Sequence, residues 1–256
     1  GIDTYGEWNE VIMKKLLSYS IILMTLCALV SCSNDDDNDG GNSGITAKKL
    51  LYFGGFGGTN FIYNDKGKLE KANDMTCIWT DNSVECDTER DGKFTALLSG
   101  DKILRISCEN GNFLSIEYSG DRRTKMTTYP DQTQTYKWDG DNITEINYSG
   151  YENIKETYTY YPDKKGNGTI DLLLMRDDIL PYPFNIGIEK LIYAHSWLFG
   201  KGNKNLIKSI TKQAPTGEYV EINYTYEFDT NGNPIKVYAH TDDNVQYARY
   251  TLLWEL

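Results

Sequence analysis

Histidine is scarce in this 256-residue sequence: His195 and His240 stand far apart, without a second metal-type residue at ligand spacing. No CxxC pair accompanies them, so neither a zinc site nor dithiol redox chemistry is indicated. A Gly-x-Ser-x-Gly elbow is missing too, and Ser196 beside His195 therefore does not amount to a triad. The glycine stretches GGFGG at 54–58 and GKGNKN at 200–205 lack the Lys-Ser/Thr of a phosphate loop and the spacing of a dinucleotide fingerprint. They read as hairpin loops. Nor is there a basic excess. With 26 Lys+Arg against 37 Asp+Glu the net charge is −11, a surface that repels nucleic acid and anionic headgroups.

Long apolar runs are also wanting. The unbroken core that begins at Ile21 is about ten residues, far below the ~20 a spanning helix needs. It follows Lys14 and Lys15 within residues 13–31, the layout of a secretory signal peptide. Residues 1–12 fit neither part of such a signal and read as a mis-assigned start, with Met13 the true one. Leu29-Val30-Ser31-Cys32 resembles the bacterial lipobox, in which cleavage leaves the cysteine as an acylated N-terminus. Cys32 is thus the expected lipid attachment. Each buried methylene contributes about 0.8 kcal/mol, so two or three chains hold a protein to a bilayer.

Residues 32–45 are acidic and polar and read as a solvated tether. Asp35, Asp37, Asp39 and Gly40 begin like a calcium loop, but the twelfth position is Thr46 where a bidentate Glu belongs, so no metal is expected. Ser33, Asp35, Asp36 and Asp37, directly after Cys32, resemble the acidic export signals that send some lipoproteins of Gram-negative gut anaerobes to the outer face of the outer membrane; the alternative is a plain linker on a periplasm-facing lipoprotein.

What the chain has in quantity is alternation. Val220, Ile222, Tyr224, Tyr226 and Phe228 share one face of a strand and Glu221, Asn223, Thr225 and Glu227 the other. Ala248, Tyr250, Leu252 and Trp254 oppose Arg249, Thr251 and Glu255 in the same way, and shorter versions occur near 102–108, 113–118, 143–148 and 156–161. The 20 tyrosines suit half-buried strands, ring packed and hydroxyl wet. Turns repeat a pattern, YNDKGKLEK at 63–71, WDGDNITEI at 138–146 and FDTNGNPIK at 228–236. In each, Asp or Asn opens a turn and Gly or Asn takes the left-handed position. The stretch CIWTDNSVEC turns at Asp81-Asn82 and sets Cys77 opposite Cys86, close enough for a disulfide, though a reduced buried pair fits equally. Cys108 is the odd one.

These features predict an all-β single domain over 46–256, an antiparallel meander or barrel-like sheet of consecutive hairpins, interrupted near 171–205 by one short helix or irregular insert. There Ile188, Leu191, Ile192 and His195 have helical spacing, and Gly200 follows as a C-cap. The insert would plug or cap an open end of the sheet, or serve as a buried connector.

The lipobox, the aromatic-Asp-x-x-Gly hairpins, FGKGNKNLIKSI at 199–210 and YTYEFDTNGNPIKV at 224–237 together resemble an uncharacterised family of secreted gut-anaerobe lipoproteins. That family is described as a domain of unknown function with a porin-like β fold. The resemblance spans most of 46–256 and transfers no active site. The expectation is an outer-membrane lipoprotein, anchored by lipid, with a non-catalytic binding or accessory role toward a glycan, a host molecule or an envelope protein, the glycan because exposed Tyr and Trp faces stack on sugar rings. No catalytic residue and no cofactor is assigned. Two alternatives stay open: a secreted hydrolase with paired carboxylates across a cleft, or a structural subunit of an outer-membrane complex, marked by an exposed apolar patch.

Overall fold

A computed structural model describes residues 49–54, 58–90, 92–129, 132–150, 153–165, 186–230, 232–241 and 246–255. The signal, the tether and the expected sites Cys32, Ser33, Asp35, Asp36 and Asp37 lie outside the described residues. Sixteen antiparallel strands, each hydrogen-bonded to its neighbours in sequence, form a barrel that closes between β1 (Leu50–Gly54) and β16 (Gln246–Trp254). Consecutive hairpins therefore build the whole wall, and the barrel form is the one the chain adopts.

The strands used below are β2 (Thr59–Tyr63), β3 (Leu69–Ala72), β4 (Met75–Trp79), β5 (Ser83–Thr88), β6 (Gly92–Ser99), β7 (Lys102–Cys108), β8 (Phe113–Ser119) and β9 (Arg122–Thr128). The second half comprises β10 (Gln132–Asp139), β11 (Asn142–Ser149), β12 (Lys155–Lys165), β13 (Asn205–Gln213), β14 (Tyr219–Phe228) and β15 (Pro234–Thr241). The insert between β12 and β13 carries helix α1 (Ile186–Ala194), then a single 3-10 turn at Ser196–Phe199 that ends at Gly200 with φ 83°.

Strict alternation is broken at one rim of the barrel, and the break is regular. The pair Ile62–Lys71 is followed by Tyr63–Leu69, leaving Glu70 unopposed. The same bulge leaves Leu104, Thr124, Thr144, Lys208 and Ile235 unopposed in their strands. Each extra residue shifts the inward face by one, so the buried positions become Leu69 and Ala72, Ile103 and Ile106, Arg123 and Met126, Ile143 and Ile146, Ile207 and Ile210. A spacing of three inside a two-residue period is the mark of a bulge beside a tight turn.

At that rim the hairpins also share an anchor. Tyr63 Oη donates to Leu50 O, Tyr118 Oη to Ile103 O and Tyr226 Oη to Ile207 O at 2.8–3.0 Å, and Tyr160 Oη to Ile143 O. Trp79, Trp138 and Trp254 Nε1 donate likewise to Leu69, Arg123 and Pro234 carbonyls at 2.7–2.9 Å. In each case the aromatic at the end of one strand satisfies a carbonyl at the start of its hairpin partner, while the ring packs inward. Leu98 stands in this place in the β5–β6 hairpin.

The wall has its dry side inward. Phe53, Phe94, Ile106, Leu114, Ile146, Ile210, Tyr224 and Val237 belong to one buried cluster that includes Ile188, Leu191 and Ile192 of α1. The outer face carries opposed charges in register: Glu117 with Lys125 at 3.1 Å, Lys137 with Glu145 at 2.5 Å, and Lys236 with Glu227 at 2.5 Å.

Candidate functional site

The described part of the insert packs into the core of the barrel. The ring of Phe53 on β1 lies 4.7 Å from Tyr193 of α1, and the buried Lys190 ammonium pairs with Asp74 in the β3–β4 turn. That contact holds the Asp74 carboxyl below its ordinary range. The chain then crosses the aromatic rim. His195 Nε2 accepts the Leu69 N–H at 2.9 Å, Phe199 O accepts from Arg123 Nη1 at 3.0 Å, and Asn203 Oδ1 accepts the Ile143 N–H at 2.7 Å. Lys201 N and Lys204 N donate to the Asp121 and Asp141 carbonyls at 2.8 and 3.1 Å. These bonds run from β3 across β9 to β11. Residues 195–204 therefore cross and plug this rim, one of the two roles expected of the insert, the other being a buried connector.

His195 is a packed core residue. Its ring meets Tyr63, Trp79 and Trp197 edge-on with centroids 5.2–5.7 Å apart. Burial, with the nearby Lys68 cation, pushes its pKa down to about 3, so it is neutral at pH 7 and serves as an acceptor. His240 lies on the other side of the wall, where its ring meets Thr225 Oγ1 at 3.3 Å. The two histidines cannot act together.

Arg123 is the residue the sequence hid. It is 0% exposed and occupies the inward place that Leu69, Ile103 and Ile143 fill in sister hairpins. Its guanidinium sits 5.2 Å from the Tyr136 ring centroid while it holds the plug carbonyl of Phe199. A second buried charge lies toward the opposite rim. Glu156, 1% exposed, accepts from Tyr148 Oη at 2.9 Å and from Tyr158 Oη, and pairs with Lys212 Nζ at 3.5 Å. The β9 bulge turns Arg123 inward against simple alternation, whereas Glu156 shares the inward face of β12 with Tyr158. Here the phenols and the ammonium replace water around the carboxylate.

Among the described residues Glu156 is the single buried acid, and no group of three His, Cys, Asp or Glu is arranged to hold a metal. The described carboxylates thus offer no facing pair inside the barrel. Exposed apolar side chains at Ile62, Ile78, Leu97, Leu104 and Leu253 are spread over five strands.

Cys77 and Cys86 are directly opposed on β4 and β5, with Trp79 opposite Val84. Both are buried free thiols, and Cys108 is a half-buried free thiol. The Thr80 N–H bonds Ser83 O at 2.9 Å, so by alternation 77 and 86 form a non-hydrogen-bonded pair, the closer kind. The Cys77 thiol as hydrogen-bond partner, together with burial, pushes the Cys86 thiol up.

One region of the outer wall is concave. A depression of about 310 Å³ lies over β12, β13 and β14 and is lined by Lys155, Thr157, Thr211, Gln213 and Tyr219.

The architecture is that of a closed antiparallel barrel with a plugged rim, a dry interior and a wet exterior. In solved structures it is similar to a porin-like protein from Bacteroides vulgatus ATCC 8482, with a TM-score of 0.62 and 13% identity, covering 81% of this chain and 99% of that one. It is also similar to a porin-like protein from Bacteroides uniformis ATCC 8492, with a TM-score of 0.60 and 15% identity over 81% and 94% of the two chains. At such identities the likeness concerns the fold. No protein-family description matches the sequence, and no curated protein matches it.

Proposed function

We propose that the chain is an outer-membrane lipoprotein whose barrel stands outside the bilayer. It is held by acyl chains on Cys32, displayed on the cell exterior through Ser33, Asp35, Asp36 and Asp37, and serves a non-catalytic binding or accessory role. The observation that carries this reading is the polarity of the wall. A membrane barrel needs an outward apolar band about 25 Å tall and strands of ~9–11 residues. Here β1 to β5 have four to six residues and the outer face bears in-register Lys–Glu pairs. Such a wall belongs in water, so a membrane address requires a separate anchor. The Bacteroides neighbours and the lipobox favour the same setting.

The test is metabolic labelling of Gram-negative cells with an alkyne fatty acid. The full chain is expected to take the label and sediment with membranes, and Cys32→Ala to lose both properties. An unlabelled wild type, or a Cys32→Ala protein that stays in the membrane after alkaline carbonate washing, would sink the proposal. Protease shaving of intact cells, wild type against the triple change Asp35→Ala, Asp36→Ala and Asp37→Ala, reads the face. Cleavage of wild type alone supports export to the exterior.

A further inference from the structure

Most tyrosines of this barrel spend their hydroxyls on the protein. Tyr63, Tyr118, Tyr160, Tyr161 and Tyr226 donate to backbone carbonyls, and Tyr238 to Glu227. Tyr219 breaks this habit. It opens β14, is 67% exposed, and makes no hydrogen bond or ring contact with any described residue. Tyr129, the other exposed tyrosine, has its ring 6.2 Å from Phe113. Tyr219 instead borders the concave patch, directly opposite Gln213, which is itself opposite Lys155, while Thr211 faces Thr157.

The patch is amphipathic. The side chains of Thr157, Thr211 and Gln213 likewise bond to no described residue, so an amide and two hydroxyls fringe a hollow whose own lining is mostly apolar. Its one cation, Lys155, is balanced by Glu145 Oε2 at 2.6 Å, a carboxylate that Lys137 and Lys155 together hold down at about 2. The hollow is therefore close to neutral. A volume of about 310 Å³ lies at the small end of ligand sites. An anion fits less well, because it would face a lysine already neutralised.

We propose that Tyr219, Gln213, Thr211, Thr157 and Lys155 form a subsite for a neutral saccharide of one or two rings. The C–H face of a sugar stacks on the Tyr219 ring, and its hydroxyls exchange bonds with the Gln213 amide and the threonine hydroxyls. The patch lies on the outer wall, away from the plugged rim, so a longer glycan could pass through the site without entering the barrel. This inference sharpens the binding role proposed above and rests on it.

The test is calorimetric titration of the detergent-solubilised full chain with cellobiose, maltose, lactose and chitobiose, each to about 20 mM, because a one-ring contact on an open sheet implies millimolar affinity. At least one is expected to bind. Tyr219→Ala should weaken that binding at least ~10-fold and Tyr219→Phe by less than ~3-fold, with little change in melting temperature, since Tyr219 is largely exposed and its side chain makes no hydrogen bond or ring contact with a described residue. No heat from any of the four, or equal binding by wild type and Tyr219→Ala, overturns the proposal. Titration in detergent does not depend on where the protein sits in the cell. A negative result here with Cys32 acylation intact removes the subsite alone, whereas loss of acylation with binding intact removes the anchored setting alone.

Discussion

Acid should loosen this barrel through one buried imidazole. His195 is neutral in the folded state because burial and the Lys68 cation push its pKa down to about 3, against 6.5 for a free side chain. An unfolded chain binds a proton there below about pH 6.5, whereas the folded chain does so only near pH 3. The contribution is therefore complete above pH 6.5 and is lost as pH falls toward 3. Linkage over that window gives about 2 kcal/mol lost between pH 7 and pH 5, and about 4 kcal/mol by pH 3. The interval from pH 7 to 5 isolates the histidine. Glu145, held near 2 by the Lys137 and Lys155 ammonium groups, gives its contribution up only below its ordinary 4.5. Urea unfolding at pH 7 and pH 5 should show wild type losing about 2 kcal/mol more than His195→Gln, whose amide oxygen still accepts the Leu69 N–H. Carbon shifts of the His195 ring should show no protonation down to about pH 4.5. Equal pH slopes in the two proteins, or a ring that titrates near 6, would refute the reasoning.

Three further outcomes follow from the same contacts. Arg123→Met keeps the volume but strands the Phe199 carbonyl and loses the Tyr136 contact, for an expected cost of about 2–4 kcal/mol in urea unfolding. A variant as stable as wild type would show that the guanidinium does not hold the plug. Gly200→Ala places a Cβ at φ 83° and 2.5 Å from the Asp121 carbonyl oxygen, and should cost about 2–4 kcal/mol, read as a lower melting temperature. Refolding the reduced chain in a glutathione redox buffer should close Cys77 to Cys86, the two hydrogens passing to oxidised glutathione, with Cys108 left open to alkylation. The bridge should add about 2–3 kcal/mol, and peptide mapping that finds Cys108 in a disulfide instead would contradict the opposed pair.

Much of the wall is legible in the sequence because each strand's pattern is local. Ile222 and Tyr224 are buried and Thr225 and Glu227 exposed as their alternation requires. The turn after Tyr63 and the helix over Ile188 to Ile192 follow from equally short-range signals. The places where reading fails are those fixed at long range. Arg123 looks like a solvent-face charge because nothing within ten residues reveals its partner, Phe199, and Glu156, although Tyr148 and Tyr158 lie close in sequence, has its cation Lys212 equally far along the chain. The three-residue spacing from Ile103 to Ile106 reads as a lapse in alternation until the bulge pairs Leu98 with Ile103. Closure between β1 and β16 joins the two ends of the domain, a contact to which no local pattern answers.

The filled interior follows from strand number. Sixteen strands in a ring enclose more space than their own side chains fill, and such barrels ordinarily keep either water or an inserted segment. This chain inserts α1, and α1 is apolar where it meets the wall, at Ile188, Leu191 and Ile192. An apolar insert favours an apolar inner face, so Phe53, Leu69 and Val84 point inward, and the inward charges Arg123, Glu156 and Lys212 are each met by protein partners. In a membrane pore the same ring is turned the other way, lipid outside and water within. Likeness to porin-like proteins thus carries the closure and the strand order, while the side of the wall that faces oil decides what the barrel can do. Here the oil is the plug, and conduction would require removing Arg123, His195 and Asn203 from their partners across three hairpins. The binding role proposed above accordingly rests on the outside of the wall.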